Sequence, residues 1–279
     1  MEFGFAKNVL KKKSKMIIPF EKVGINRNTK IIEFAAKKLV YSYEDESIFE
    51  VWEKIVKRGF RRIPIVDKKE RLVGIITYTD LLDAFLRNED LKQEIALIMV
   101  REVITCDVND TVEFVLQKMK LSRKGGLPVI KKEKIFGIVT ERDILNRFVF
   151  DKFGIEIKKI MTPNPFYISQ SLSIQDVART MVSTKYRRFP IVENGKVIGI
   201  ITGMDIFNYI FENGFNIETL DEDMKKIMKK DVFKVGEEDD LSVAINLMRE
   251  KNVGGLVVVD DENNLKGIIT ERDIINNVI

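Results

Sequence analysis

The 279-residue sequence contains no histidine. That absence removes Ser-His-Asp and Cys-His catalysis, His-ligated zinc and histidine proton switching. One cysteine, Cys106, excludes an intrachain disulfide framework and fits a reducing cytosol. No apolar run is long enough to cross a bilayer and the start does not read as a signal peptide, so a cytoplasmic location with no membrane contact is expected. The charge is close to balanced: 47 Lys and Arg against 43 Asp and Glu leave +4, too mild to imply nucleic acid. Nucleophile elbow, P-loop, Rossmann fingerprint, cysteine cluster and helix-turn-helix are all missing. The expectation is a protein that is not an enzyme, with no catalytic residue, no metal ligand and no catalytic cofactor.

What is present is a globular composition, 45% apolar and 32% charged, in a chain long enough for one large domain or two to four small ones. Abundant Lys, Glu and Ile with little Gln lean towards a thermophilic source. Local charge excess is concentrated before about Lys30, where "KNVLKKKSK" lacks matching acids. It reads as a solvated tail or a clasp over the first repeat.

Internal repetition organises the rest. "GIVTERDI" begins at Gly137 and "GIITERDI" at Gly267, with weaker copies "GIITYTDL" at Gly74 and "GIITGMDI" at Gly199. The motif aspartates Asp80, Asp143, Asp205 and Asp273 are spaced by 63, 62 and 68 residues. A second marker, "IM", recurs at Ile98-Met99, Ile160-Met161 and Ile227-Met228; the first repeat reads "FAAKKLVY" at the matching place. Each repeat predicts helix, strand, strand, helix. In "SIFEVWEKIVKRG", Ile48, Val51, Trp52, Ile55 and Val56 share one helical face. Short apolar strands such as "IPIVD" and "LVGIIT" come next, and a further helix begins near the Asp. A unit of about 60 residues is near the lower limit for burying its own core, so units are expected to pair. The frame divides the chain into a basic extension, residues 1–35, and repeats over 36–90, 91–152, 153–216 and 217–279.

The repeats alternate. The first and third carry "FRRIPIVD" and "YRRFPIVE"; the second and fourth carry "KGGLPVI" and "VGGLVVV" at that place and share "TERD". An ABAB pattern implies that a pair was duplicated, giving two modules, 1+2 and 3+4.

Two readings of the motif stand together. Thr77 and Asp80, Thr140 and Asp143, Thr202 and Asp205, and Thr270 and Asp273 have the spacing of a helix capping box. Yet all four copies use Thr and Asp where Ser, Glu or Gln would cap as well, which suggests a further constraint. A carboxylate suits a ribose diol, and a hydroxyl beside free helix amides suits phosphate. The pairs Arg61-Arg62 and Arg187-Arg188 precede the first strands. Alternation along a strand would put one of each pair in a cleft and the other in solvent, and a guanidinium fork fits phosphate. Gly125-Gly126 and Gly254-Gly255 replace these arginines and leave room for a partner's Arg to cross. Arg142 and Arg272 are further phosphate candidates, or form surface pairs with Glu141, Glu271 or other acids. Ile63, Pro64, Phe189 and Pro190 are candidates for an adenine wall, or core.

The repeat plan, with "IM", a "PIVD"-type strand and "GIIT..D", resembles the CBS domain, whose pairs form Bateman modules. Four copies covering roughly residues 36–279 are similar to the gamma subunit of AMP-activated protein kinase and its archaeal relatives. The resemblance implies an α/β (α+β) fold of four CBS repeats in two Bateman modules, forming a disc-like pseudo-symmetric assembly. It implies ribose contacts at the four motif Asp residues, ribose or phosphate contacts at the four Thr residues, and phosphate contacts at the arginine pairs. The expected ligands are AMP, ADP and ATP, in a regulatory energy sensor that signals to a kinase or other effector. Alternatives are a sensor of another adenosyl ligand, such as S-adenosylmethionine, or a nucleic-acid-binding regulator. Monomer and homodimer both stay open.

Overall fold

The amphipathic stripe of the first repeat does form a helix, and local chemistry sets both its ends. The computed structural model describes residues 18–35 and 39–278. In α1 (Ile48–Arg58), Ser47 accepts from the Glu50 amide while the Glu50 carboxylate accepts from the Ser47 amide; Gly59, at φ 66°, ends the helix. Ile48, Val51, Trp52 and Ile55 are fully buried. A short strand, β1 (Ser42–Tyr43), precedes α1; β2 (Arg62–Val66) and β3 (Leu72–Thr77) come after it, and α2 (Tyr78–Leu86) completes the repeat.

The second repeat has β4 (Cys106–Asp107), α3 (Val112–Ser122), β5 (Gly126–Lys131), β6 (Lys134–Thr140) and α4 (Glu141–Leu145). The third has β7 (Thr162–Pro163), α5 (Ile174–Thr184), β8 (Arg188–Glu193), β9 (Lys196–Thr202) and α6 (Gly203–Glu212). The fourth has β10 (Lys234–Gly236), α7 (Leu241–Glu250), β11 (Gly255–Val259), β12 (Leu265–Thr270) and α8 (Glu271–Ile275). In every repeat the two main strands pair antiparallel, with Arg62 opposite Thr77, Gly126 opposite Thr140, Arg188 opposite Thr202 and Gly255 opposite Thr270. The register therefore places each arginine or glycine beside a motif threonine. The leading strands β1, β4 and β10 add in parallel, an element absent from the helix, strand, strand, helix plan.

The linkers entering the repeats are exchanged within modules. Lys30, ahead of repeat 1, bridges to Thr111 of repeat 2, and Glu94, at the start of repeat 2, bridges to Ser47 of repeat 1. Glu156 pairs with Asp240 and Asp223 with Ser173 in the same reciprocal way between repeats 3 and 4. The "IM" markers then dock on the partner repeat. Met99 covers Gly74, Met161 covers Gly267 and Met228 covers Gly199, positions where a Cβ would meet the thioether. This fixes the modules as 1+2 and 3+4.

The apolar cores run the other way. One joins repeats 1 and 3, with Trp52 stacked on Phe207 at 4.0 Å; the other joins repeats 2 and 4. Ile18, Phe20, Val23, Ile25, Ile31 and Phe34 enter the second core, and Ile18 pairs with Val278. The described part of the N-terminal extension therefore clasps repeats 2 and 4 rather than repeat 1, because its side chains are apolar. The basic run "KNVLKKKSK" lies outside the described residues.

Candidate functional site

Thr140 and Asp143 stand where β6 ends and α4 begins, and they form a complete capping box. The Asp143 Oδ2 accepts from the Thr140 amide at 2.8 Å and from the Thr140 hydroxyl at 2.6 Å. The other three boxes repeat this geometry at Asp80, Asp205 and Asp273. Capping thus uses one carboxylate oxygen and leaves the second. Among the described residues, Oδ1 of Asp80 and of Asp143 has no hydrogen-bonding partner, Oδ1 of Asp205 meets Lys229, and Oδ1 of Asp273 accepts from Thr162. Burial raises the pKa of the Asp273 carboxyl.

A cavity of about 320 Å³ opens at Asp143. Thr140, Asp143 and Arg142 come from repeat 2; Arg61 and Arg62 come from repeat 1; Arg187 comes from repeat 3. Its apolar wall is Leu39, Val40, Phe60 and Ile138. The adenine-wall candidates are elsewhere. Ile63 and Phe189 are sealed in the core joining repeats 1 and 3, Pro64 and Pro190 are buried, and none of the four lines this cavity. Strand alternation turns Ile63 and Phe189 into that core. Leu39 and Val40 belong to the "FAAKKLVY" stretch, whose departure from the "IM" marker was the available signal.

Both arginines of each pair are half-buried; none is left in solvent. The alternation argument fails because Arg61 and Arg187 precede β2 and β8 and are not strand residues. Arg62 crosses to repeat 2, its Nη1 donating to the Gly126 carbonyl at 2.9 Å. A Cβ at Gly126 would sit 2.5 Å from that nitrogen, and one at Gly255 would clash with Arg188 in the same way. The second glycine of each pair, Gly126 or Gly255, is therefore the space that Arg62 or Arg188 enters, while Gly125 and Gly254 make room for the Glu141–Arg272 and Glu271–Arg142 pairs. Burial, followed by neighbouring Arg187 and Arg61 respectively, pushes the guanidinium pKa of Arg62 and of Arg188 down to about 10. Crowded, desolvated cations of this kind are stabilised by an anion.

Arg142 and Arg272 do not make local surface pairs. Arg142 Nε meets Glu271 at 2.5 Å, and Arg272 Nε meets Glu141 at 3.0 Å, a reciprocal bridge between repeats 2 and 4. Both glutamates are buried, and the arrangement results from the packing of α4 on α8. The outer Nη2 of each arginine is buried without a hydrogen-bond partner. In the odd repeats the corresponding contact is steric: Tyr78 fills the space over Gly203, where a Cβ would approach its hydroxyl to 2.8 Å. Cys106 is buried, and desolvation pushes its thiol up to about 12, so it is inert. Among the described residues no helix is long and apolar enough to cross a membrane.

The CBS domain model matches residues 31–87, 93–149, 157–212 and 224–279. The chain belongs to the CBS domain family. It is 30% identical over 267 residues to the uncharacterized protein MJ1225 of Methanocaldococcus jannaschii, covering 86% of this chain and 95% of that protein. It is 26% identical over 253 residues to a 33.4 kDa protein of Thermofilum pendens, covering 82% and 84%. The crystal structure of MJ1225, described as a proposed archaeal homolog of g-AMPK, superposes with a TM-score of 0.81 at 27% identity, over 89% of this chain and 99% of that one. CBS domains are regulatory rather than catalytic, and the Asp143 cavity is set at the seam of CBS repeats 1 and 2.

Proposed function

We propose that the protein is a regulatory module that binds adenine nucleotides, AMP, ADP or ATP, in clefts between paired CBS repeats and relays their occupancy to a partner protein, a kinase or another effector. The observation that carries this reading is the Asp143 cleft. A carboxylate oxygen left over from the cap faces a cavity whose wall contains Arg61, Arg62, Arg142 and Arg187. The spare oxygen suits a ribose diol, Leu39, Val40 and Phe60 suit a base, and the guanidinium forks suit phosphate. S-adenosylmethionine has no phosphate and would leave this cationic wall uncompensated. Discrimination of AMP from ATP rests on the arginines alone, since base and ribose are common to both. Output to a partner results if two arrangements of the modules differ in nucleotide affinity.

Titration of the full chain with AMP, ATP and adenosine, read by native mass spectrometry and calorimetry, tests the proposal. Asp143→Ala should remove one nucleotide site. Arg62→Ala should weaken AMP about tenfold to a hundredfold, as loss of a charge-assisted hydrogen bond implies, with a smaller effect on adenosine. No uptake of any adenine nucleotide by the wild-type chain would overturn the reading.

A further inference from the structure

The four capping boxes are alike, but what meets the spare carboxylate oxygen differs between Asp273 and Asp205, and one chain position bears on the difference. That position comes directly after the "IM" marker and is placed by the linker exchange. Val100 pairs with Ile75, Thr162 with Ile268 and Lys229 with Ile200, the same register in each case, one residue beyond the motif glycine. Counted the same way from Lys30, the fourth position is Ala36, outside the described residues. Val100 offers Asp80 no polar group. Thr162 donates a neutral hydrogen bond to Asp273 Oδ1 at 3.1 Å. Lys229 instead puts its ammonium 2.6 Å from Asp205 Oδ1, with the lysine side chain 63% exposed and the carboxylate 10%.

We propose that Lys229 makes the Asp205 cleft selective for phosphorylated ligands. This rests on the nucleotide reading above, in which the spare oxygen grips ribose. In this cleft the grip is already taken by a cation. A nucleoside without phosphate must displace the ammonium and offers nothing in return, leaving a charge that has lost its partner. A nucleotide frees the same oxygen but supplies an anion to which the exposed, long-armed ammonium transfers. The need for such a cation arises from the sequence alternation. Repeat 4, the partner of repeat 3, carries Gly254-Gly255 where an odd repeat carries two arginines, so the crossing arginine pair that serves Asp143 has no counterpart here. Lys229 is the substitute charge, supplied by the linker.

The test uses the full chain with adenosine and AMP as probes, counting bound ligands by native mass spectrometry and measuring affinity by calorimetry. Wild-type protein is expected to bind one fewer adenosine than AMP. Lys229→Met should add that adenosine site and weaken AMP at the same cleft by about threefold to tenfold. The added site should vanish in Lys229→Met/Asp205→Ala. Equal adenosine and AMP counts in the wild type, or no added adenosine in Lys229→Met, overturns the proposal. If AMP binds in an Asp143-dependent manner while Lys229→Met changes nothing, the selectivity role alone falls. If neither probe binds the wild type, the nucleotide reading fails and takes this proposal with it.

Discussion

Gly126→Ala is the sharpest probe of the claim that glycine at this position lets Arg62 cross between repeats. Gly126 has no positive φ, so alanine brings no backbone strain at this position. The added methyl would lie 2.5 Å from Arg62 Nη1 and 3.0 Å from Thr140 Cγ2. The threonine is held by its capping box, so the arginine must give way. Retreat of Arg62 breaks the 2.9 Å bond to the Gly126 carbonyl. A hydrogen bond to a charged group contributes about 1.5–3 kcal/mol, which for a chain of this size corresponds to a fall in melting temperature of about 3–10 °C. The displaced guanidinium also leaves the Asp143 cavity, so AMP affinity should fall while adenosine affinity changes little. Differential scanning fluorimetry of the unliganded protein and calorimetry with both ligands read the two effects. Wild-type melting and wild-type AMP affinity in Gly126→Ala would refute the reasoning. The same result with Arg62→Ala as a parallel variant would show that the crossing has no energetic role at all.

Two further predictions concern the frame around the cleft. Trp52→Ala removes the ring stacked on Phe207 between repeats 1 and 3 and should destabilise the chain by about 3–5 kcal/mol in urea denaturation. Asp240 caps α7 and accepts from the amides of Phe153, Gly154 and Ile155 in the linker. Burial alone would raise its carboxyl, but the hydrogen bonds from Ser242, Phe153 and Gly154 outweigh it and hold the pKa at about 2, below the ordinary 3.8. A depressed carboxyl contributes stability that is complete above the unfolded value and is lost as pH falls through the folded one. Acid denaturation curves between about pH 4 and 2 should therefore be shallower for Asp240→Asn, with the variant already weaker at neutral pH.

Much of this arrangement was legible because duplication supplies its own alignment. Four copies of the Thr–Asp motif in step exposed the repeat, and the alternation of "RR" with "GG" correctly implied both the 1+2 and 3+4 modules and the crossing of arginine into the glycine space. The capping box was legible as spacing, and its leftover oxygen as stoichiometry. What was not legible depends on long-range geometry. The leading strands are two or three residues long, too short for any periodicity. The partners of Glu141 and Glu271 are 131 and 129 residues away, and local reading could only pair them with near neighbours. Ile63 and Phe189 read as core by default with a base wall as the alternative, and the 1–3 packing turns that face into the core. Arg61 and Arg187 defeated the alternation rule by preceding their strands.

The repeats associate in two directions. Linkers and arginine crossings tie repeat 1 to 2 and repeat 3 to 4, while the apolar cores and the Arg142–Glu271 and Arg272–Glu141 bridges tie 1 to 3 and 2 to 4. The Asp143 cavity lies where these directions meet, since its wall draws on repeats 1, 2, 3 and 4 through Arg62, Arg142, Arg187 and Glu271. If an anion binds there as proposed, it would compete with Glu271 for Arg142, and occupancy of a cleft inside one module would act on a bridge between modules. That bridge is made of two buried glutamates and two half-buried arginines with unused donors. Changes in an ion pair of this kind are felt strongly, because a charge that loses its partner inside the protein is costly. On the proposed function, a link from ligand to module arrangement would need no relay beyond Arg142 itself.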